Sequence, residues 1–303
     1  MRIGIIGDIH GNVTALRKVL EVLSDYDADI LLLVGDIGSN SLPPQFDPGN
    51  VANLLPQKYR SACVELREKW QDSVLHVEEL VTSLGVPVYL VPGNHDLPYY
   101  PIANSKLVSN CDHRLVETKG IQIIGWGGSP KTPAGWPYEW TNSKAEKVWR
   151  KLALPSSPQP RILLSHSPPS SSLSPYVGWF RKRFHSANTS FIGKLIEYTS
   201  PSICVCGHIH NEYSIKHLGQ TLVISEGNIV RRPAAPAPAN SSERGGYQAR
   251  LLNCNDNLEE IEAVNFFIPL EAPHTSEVKR ETYRFHSQDS REKPGTLTHP
   301  GNK

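Results

Sequence analysis

The residues best equipped for chemistry are Asp8 and His10, Asp36, the run Asn94-His95-Asp96, His166, and the pair His208 and His210. They fall in five short blocks: Gly7-Asp8-Ile9-His10, Gly35-Asp36-Ile37-Gly38, Gly93-Asn94-His95-Asp96, Ser165-His166 and Gly207-His208-Ile209-His210. Carboxylate and amide oxygens mixed with imidazole nitrogens suit transition ions such as Mn, Fe or Zn, because imidazole is a poor calcium ligand. Asp36 has two carboxylate oxygens and so can join two ions. One histidine beside a strand is more often hydrogen-bonded or at the surface than a ligand. Repetition of the same pattern five times favours a metal site.

Positioning these groups falls to the apolar run that precedes each block. Residues 3–6, 30–34, 86–91, 161–164 and 202–206 are short, largely apolar stretches that read as buried strands. Their C-terminal ends would then deliver the polar groups into one crevice, the usual ligand position of an open α/β sheet. In extended chain, a spacing of two turns Asp8 and His10, and likewise His208 and His210, to the same side. Apolar residues at helical spacing predict helices over 13–23 and 58–84, with further helices over 143–152 and 191–198. Ser143 is expected to cap the third of these, with Glu146 in the capping-box position. The segment 39–53 reads as a loop, and the insertion it begins is expected to wall a pocket. Residues 121–124, 221–224 and 248–252 are expected to form strands of a second sheet. The glycine- and aromatic-rich stretch 125–140 is either a surface loop packed by its own rings or a wall over the substrate.

Composition narrows the class of protein. A 303-residue chain with 39% hydrophobic residues can build a substantial core. A formal charge of +1 leaves no global field for nucleic acid or membrane. The run Arg181-Lys182-Arg183 among aromatic residues is a weak nucleic-acid footprint, more often a solvated loop than a phosphate contact. Five irregularly spaced cysteines point to reduced thiols, and no run has signal-peptide or transmembrane length. The expected location is cytoplasmic. One domain is expected over residues 1–271, with 272–303 as a polar, disordered tail.

The five blocks, in this order and separation, resemble the motifs of the calcineurin-like metallophosphoesterases over residues 1 to about 230. The resemblance implies an α/β fold, a four-layer α/β/β/α sandwich with a dimetal site at one edge. It implies that one ion is held by Asp8, His10, Asp36 and His210 and the other by Asp36, Asn94, His166 and His208. Two divalent ions are implied, Mn foremost, with Fe, Zn, Ni or Mg as alternatives. A metal-bridging hydroxide would attack the phosphorus of a small phosphoester, nucleotides among the candidates, with His95 aiding the leaving oxygen and Asp96 orienting the His95 ring. Serine/threonine protein phosphatases of the superfamily carry an Arg soon after the second-block Asp and a Glu after the third-block His. This chain has Ile37-Gly38-Ser39-Asn40 and Asp96 there, which directs the reading to the prokaryotic phosphodiesterase-type branch. A phosphomonoesterase, a nucleotide pyrophosphatase and a non-catalytic scaffold on the same fold stand as alternatives. The oligomeric state is left open.

Overall fold

The computed structural model of the chain describes residues 1–40, 42, 57–98, 105–152, 154–170, 190–231, 245–270 and 277–284. In chain order the elements are β1 (Arg2–Ile6), α1 (Val13–Ser24), β2 (Ile30–Leu33), α2 (Gln57–Thr82), β3 (Val88–Leu90), β4 (Val108–Asn110), β5 (Leu115–Thr118) and β6 (Ile121–Trp126). There follow β7 (Ser129–Pro130), β8 (Glu139–Trp140), α3 (Asn142–Trp149), β9 (Arg161–Ser165), α4 (Ser190–Thr199) and β10 (Ile203–Cys206). The last are β11 (Ser214–Leu218), β12 (Thr221–Ser225), β13 (Val230–Arg231), β14 (Gly246–Cys254), β15 (Glu260–Pro269) and β16 (Glu277–Arg284). One sheet has the order β16-β15-β14-β1-β2-β3-β4, with β13 paired to β14, and the other has the order β11-β12-β10-β9-β6-β5.

Strand periodicity explains why the sheets stack. On β2 and its continuation, Ile30, Leu32 and Val34 point into the layer between the sheets, whereas Leu31 and Leu33 point to the helices. A strand apolar on both faces has to be covered twice. Leu16, Val19 and Leu23 of α1 and Trp70, Val74 and Val77 of α2 cover the outer face of the first sheet. Ala145 and Trp149 of α3 and Phe191, Ile192 and Leu195 of α4 cover the outer face of the second. Three apolar layers thus separate four structural ones, and the fold is the expected α/β/β/α sandwich. Asn12 starts α1 by accepting the Ala15 N–H at 3.0 Å.

Three expectations differ from the structure. Residues 248–252 lie in β14, which pairs antiparallel with β1 in the first sheet (Ile3 opposite Leu252), not in the second. Apolar content marks a strand but does not say which sheet it joins. Thr141, in extended conformation, caps α3 by accepting the Lys144 N–H at 3.3 Å, two residues ahead of Ser143. Residues 277–284, placed in the polar tail, form β16 and pair with β15 from Glu260–Arg284 to Phe267–Glu277. Their charged side chains are those of an edge strand, which needs little apolar content because only one neighbour covers it. The run Arg181-Lys182-Arg183, most of the 39–53 loop and residues 285–303 lie outside the described residues.

A buried contact between an acid and a guanidinium joins the sheets near the site. Glu226 follows β12, Arg250 sits on β14, and Arg250 Nη1 lies 3.4 Å from Glu226 Oε2. Burial pushes the Glu226 carboxyl up to about 8, against the opposing pull of Arg250. The folded protein therefore takes up a proton at Glu226 between about pH 4.5, its ordinary value, and about pH 8. That contribution to stability is complete below the lower value and lost as pH rises through the upper one. Urea midpoints of chelator-treated protein should fall more steeply across this window in the wild type than in Glu226→Gln. Parallel profiles would show that Glu226 is ionised throughout.

Candidate metal centre

Each chemical block begins where a strand stops. After β1 the chain crosses to Gly227, whose carbonyl accepts the Asp8 N–H at 2.8 Å, and then to the loop after β2. There the Asp36 carbonyl accepts the N–H groups of Ile9 and His10 at 3.0 and 2.7 Å. His10, Asp36 and His208 all have positive φ, at 50°, 48° and 68°. This left-handed backbone costs about 1–2 kcal/mol per non-glycine residue, least for Asp, Asn and His, and is held by the surrounding hydrogen bonds. Gly35, Gly93 and Gly207 make the close approach possible. A Cβ on Gly93 would run into the Asp36 carboxylate, and one on Gly207 into Asp8.

The structure brings all seven expected ligand residues together. Donor atoms of Asp8, His10, Asp36 and His210 lie within 4.8 Å of one another, a group able to hold a cation. His10 Nε2 is 3.0 Å from His210 Nε2, and His210 Nε2 is 3.5 Å from Asp8 Oδ2. On the other side of Asp36, His166 Nε2 lies 2.9 Å from Asn94 Oδ1 and 3.6 Å from Asp36 Oδ1. The His208 ring packs against that of His166 with centroids 5.0 Å apart. His166 Nδ1 faces the Val34 carbonyl at 2.8 Å, a contact that requires the Nδ1 proton and frees the Nε2 lone pair. His166 Nε2 and Asn94 Oδ1 are then two acceptors facing each other. Two ligands held at right angles by one cation, each about 2.1 Å from it, would be about 3 Å apart. Asp36 Oδ2 and His10 Nδ1 are buried without a hydrogen-bond partner among the described residues. The unpartnered Asp36 Oδ2, with His166 Nε2 and Asn94 Oδ1 facing each other beside it, fits divalent cations.

The electrostatics agree. Burial, and then the neighbouring Asp36 charge, raise the Asp8 carboxyl well above its ordinary value. Burial also opposes ionisation of Asp36, but the imidazoles of His166, His10 and His95 outweigh it and hold the carboxyl low. Burial, reinforced by His10, brings His210 down to about 4 and keeps it in the neutral form that ligates.

His95 and Asp96 have separate surroundings. The His95 N–H donates to Asp36 Oδ1 at 2.8 Å, and burial lowers the pKa of its ring. The Asp96 carboxylate accepts from the N–H groups of Ile37, Gly38 and Gly93 and from the Trp70 indole, at 2.8–3.3 Å. These donors account for its lone pairs, and His95 Nδ1 has no hydrogen-bond partner among the described residues. Asp96 thus ties the second and third blocks together instead of orienting the His95 ring. Trp136 meets that ring, with centroids 3.9 Å apart and planes tilted by 42°. Its loop is fastened to the third block through Gly128 N–H to the Pro92 carbonyl at 2.8 Å and Tyr138 N–H to the Asn94 carbonyl at 3.2 Å. Within 125–140, Trp136 reaches His95, while Trp126 and Trp140 pack inward. Gly227 and Asn228 were not singled out from the sequence, although they follow the strand β12 much as the other blocks follow theirs.

Carboxylates and imidazoles gathered at one edge of a four-layer sandwich make a site able to hold a metal ion. Residues 1–212 match the family model of the calcineurin-like phosphoesterases, and the chain belongs to that family. It is a metal-dependent phosphoester hydrolase. The chain is 29% identical over 228 residues to the uncharacterized protein MJ1162 of Methanocaldococcus jannaschii, covering 74% of this chain and 87% of that one. It is 23% identical over 193 residues to a probable cyclic nucleotide phosphodiesterase of Pseudoalteromonas sp., covering 63% of this chain and 69% of the relative. The crystal structure of TT1561 of Thermus thermophilus shares the fold, with a TM-score of 0.50 and 14% identity over 93% of this chain and 98% of that one. Among the described residues, no helix is long and apolar enough to cross a membrane.

Gly93→Ala should displace the Asp36 carboxylate and lower bound metal severalfold, with the far-ultraviolet circular dichroism of the wild type retained. Full metal content by elemental analysis would show that the loop absorbs the methyl group without moving Asp36.

Proposed function

We propose that the protein is a two-metal phosphodiesterase acting on a small phosphoester, and that Asp36 would take part in holding both ions. The observation that carries this reading is the placement of the Asp36 oxygens. Oδ2 lies 3.6 Å from His10 Nε2 and Oδ1 lies 3.6 Å from His166 Nε2, so each oxygen faces a separate donor group. Asp8, His10 and His210 would complete one ligand set, and Asn94, His166 and His208 the other. The mixed oxygen and nitrogen donors favour Mn, with Fe, Zn, Ni or Mg as alternatives. When bound, the pair supplies Lewis-acid polarisation of a phosphoryl oxygen and a nucleophile at neutral pH.

The remaining steps belong to the chain's own groups. His95 lies beside Asp36 and under the Trp136 ring, where it can donate a hydrogen bond to the leaving oxygen. Asp96 holds the third block against the second through its backbone donors, a positioning role. The name of the Pseudoalteromonas relative supports diesters over monoesters, and nucleotides among them. Five free cysteines, four of them buried, support a cytoplasmic location.

Mn²⁺ added to chelator-stripped protein should restore hydrolysis of bis-nitrophenyl phosphate, with nitrophenyl phosphate turned over more slowly. Asp36→Asn should abolish both the activity and the bound metal. A faster monoester would replace diesterase by monoesterase, and no turnover with full metal occupancy would leave the scaffold reading standing. His95→Ala should slow alkyl esters by about 10²–10⁴ and nitrophenyl esters far less, because nitrophenolate leaves without a proton. Equal losses on both would remove His95 from the leaving-group step.

A further inference from the structure

The backbone of His95 is fixed on both sides, but no hydrogen bond among the described residues holds its ring. Its N–H donates to Asp36 Oδ1 at 2.8 Å, and the carbonyl of the preceding Asn94 accepts the Tyr138 N–H at 3.2 Å. Ring nitrogen Nδ1 is buried without a partner, and the neighbouring Asp96 carboxylate is taken up by the N–H groups of Ile37, Gly38 and Gly93 and by the Trp70 indole. A hydrogen bond at one imidazole nitrogen ordinarily sets the rotation and tautomer of the ring. What bounds this ring is aromatic. Trp136 lies against it with centroids 3.9 Å apart and planes tilted by 42°, and His10 meets it edge-on at 5.3 Å and 85°. His10 belongs to the candidate ligand group, so Trp136 is the wall that the chain adds for His95 itself.

The loop that carries Trp136 is built to keep the indole there. Gly135, at φ 67°, turns the chain immediately before it. The Glu139 carboxylate gathers the loop by accepting the Thr132 N–H at 3.1 Å, the Thr132 hydroxyl at 2.5 Å and the backbone N–H of Trp136. At the base, Ser129 N–H donates to the Tyr138 carbonyl at 3.1 Å and Lys131 N–H to the Trp140 carbonyl at 2.9 Å. The Tyr138 hydroxyl donates to Asp112 Oδ2 at 2.6 Å. An indole on a frame tied at both ends is in place before substrate arrives. We propose that Trp136 is a positioning residue, which packs on the His95 ring in place of a hydrogen-bonded carboxylate and holds it at the angle for proton donation to the leaving oxygen. With Nδ1 buried in a half-buried residue, Nε2 is the nitrogen left to meet that oxygen. The inference rests on the leaving-group role of His95 and names the group that aims it.

The aim of the ring can be read in two ways. The ratio of kcat for bis-nitrophenyl phosphate to kcat for diphenyl phosphate, whose phenolate is the poorer leaving group, measures help given to the leaving oxygen. In Mn²⁺-loaded protein, Trp136→Ala should raise this ratio by about tenfold, while Trp136→Phe, which keeps a ring face, should stay within about twofold of the wild type. In the His95→Ala background, Trp136→Ala should leave the ratio where His95→Ala has put it, because the two residues act as one unit. A wall that only enclosed the substrate would raise KM for both esters and leave the ratio alone. The second readout does not depend on turnover. Carbon-13 relaxation of the His95 ring C–H groups, in the full chain with and without diamagnetic Zn²⁺, should show lower order in Trp136→Ala and wild-type order in Trp136→Phe. Ring order unchanged in Trp136→Ala would overturn the proposal, as would an unchanged ratio in Trp136→Ala where His95→Ala raises it. If His95→Ala itself leaves the ratio unchanged, the leaving-group role of His95 falls, and ring order alone then decides whether Trp136 holds the imidazole.

Discussion

Two carboxylates, Asp8 and Asp36, are buried together at the edge where the sheets meet, and the rest of the site answers to that placement. An uncompensated buried charge is among the most expensive features a protein can hold. The chain compensates partly from within, through the His208 N–H on Asp8 at 3.0 Å and the His95 N–H on Asp36 at 2.8 Å. It does so incompletely, because Asp36 Oδ2 keeps no hydrogen-bond partner among the described residues. Imidazoles crowd the remaining space, and their nitrogens turn lone pairs toward the same point as the carboxylate oxygens. Divalent cations are the natural completion of such a site, and membership of the calcineurin-like phosphoesterase family says what they are for.

Holding these groups in place requires contacts that cross the whole sandwich. Asp8 and Asp36 come from neighbouring strands of the first sheet, and His166 and His208 follow strands of the second. The link between sheets is partly direct, as in the contact of His166 Nδ1 with the Val34 carbonyl. It is also indirect, through the Gly227–Asn228 loop that bonds to Asp8 on one side and His210 on the other. Asp96 performs the same service one layer down, joining the second and third blocks and reaching the Trp70 indole of α2 at 3.3 Å. Left-handed backbone at His10, Asp36 and His208 is tolerated because these bonds leave the loops few alternatives.

Residues outside the five blocks shape what can reach the site. Trp136 enters from a loop between β7 and β8 and covers His95, while the asparagines of the cavity beside His10 and His210, Asn12, Asn40, Asn211 and Asn228, come from just after three of the blocks and from the segment after β12. Differences of substrate within one fold arise on such connecting segments, since the strands beneath them are committed to packing on both faces.

The candidate ligand residues, the five strands before them and the α/β class were legible in the chain because each is a local pattern: an apolar run, a turn glycine, a polar group at a fixed spacing. Fold layering was legible only through the resemblance that the blocks carry. The partner sheet of β14, the edge strand β16, the cap of α3, the attachment of Asp96 and the stacking of Trp136 were not. Each depends on which distant segment lies alongside, as when β14 returns from far along the chain to pair with β1, Ile3 opposite Leu252. Sequence by itself determined which groups could bind metal and that strand ends would carry them. Only the tertiary structure decided which of their oxygens and nitrogens face one another, because that choice is made by hydrogen bonds between loops remote in sequence.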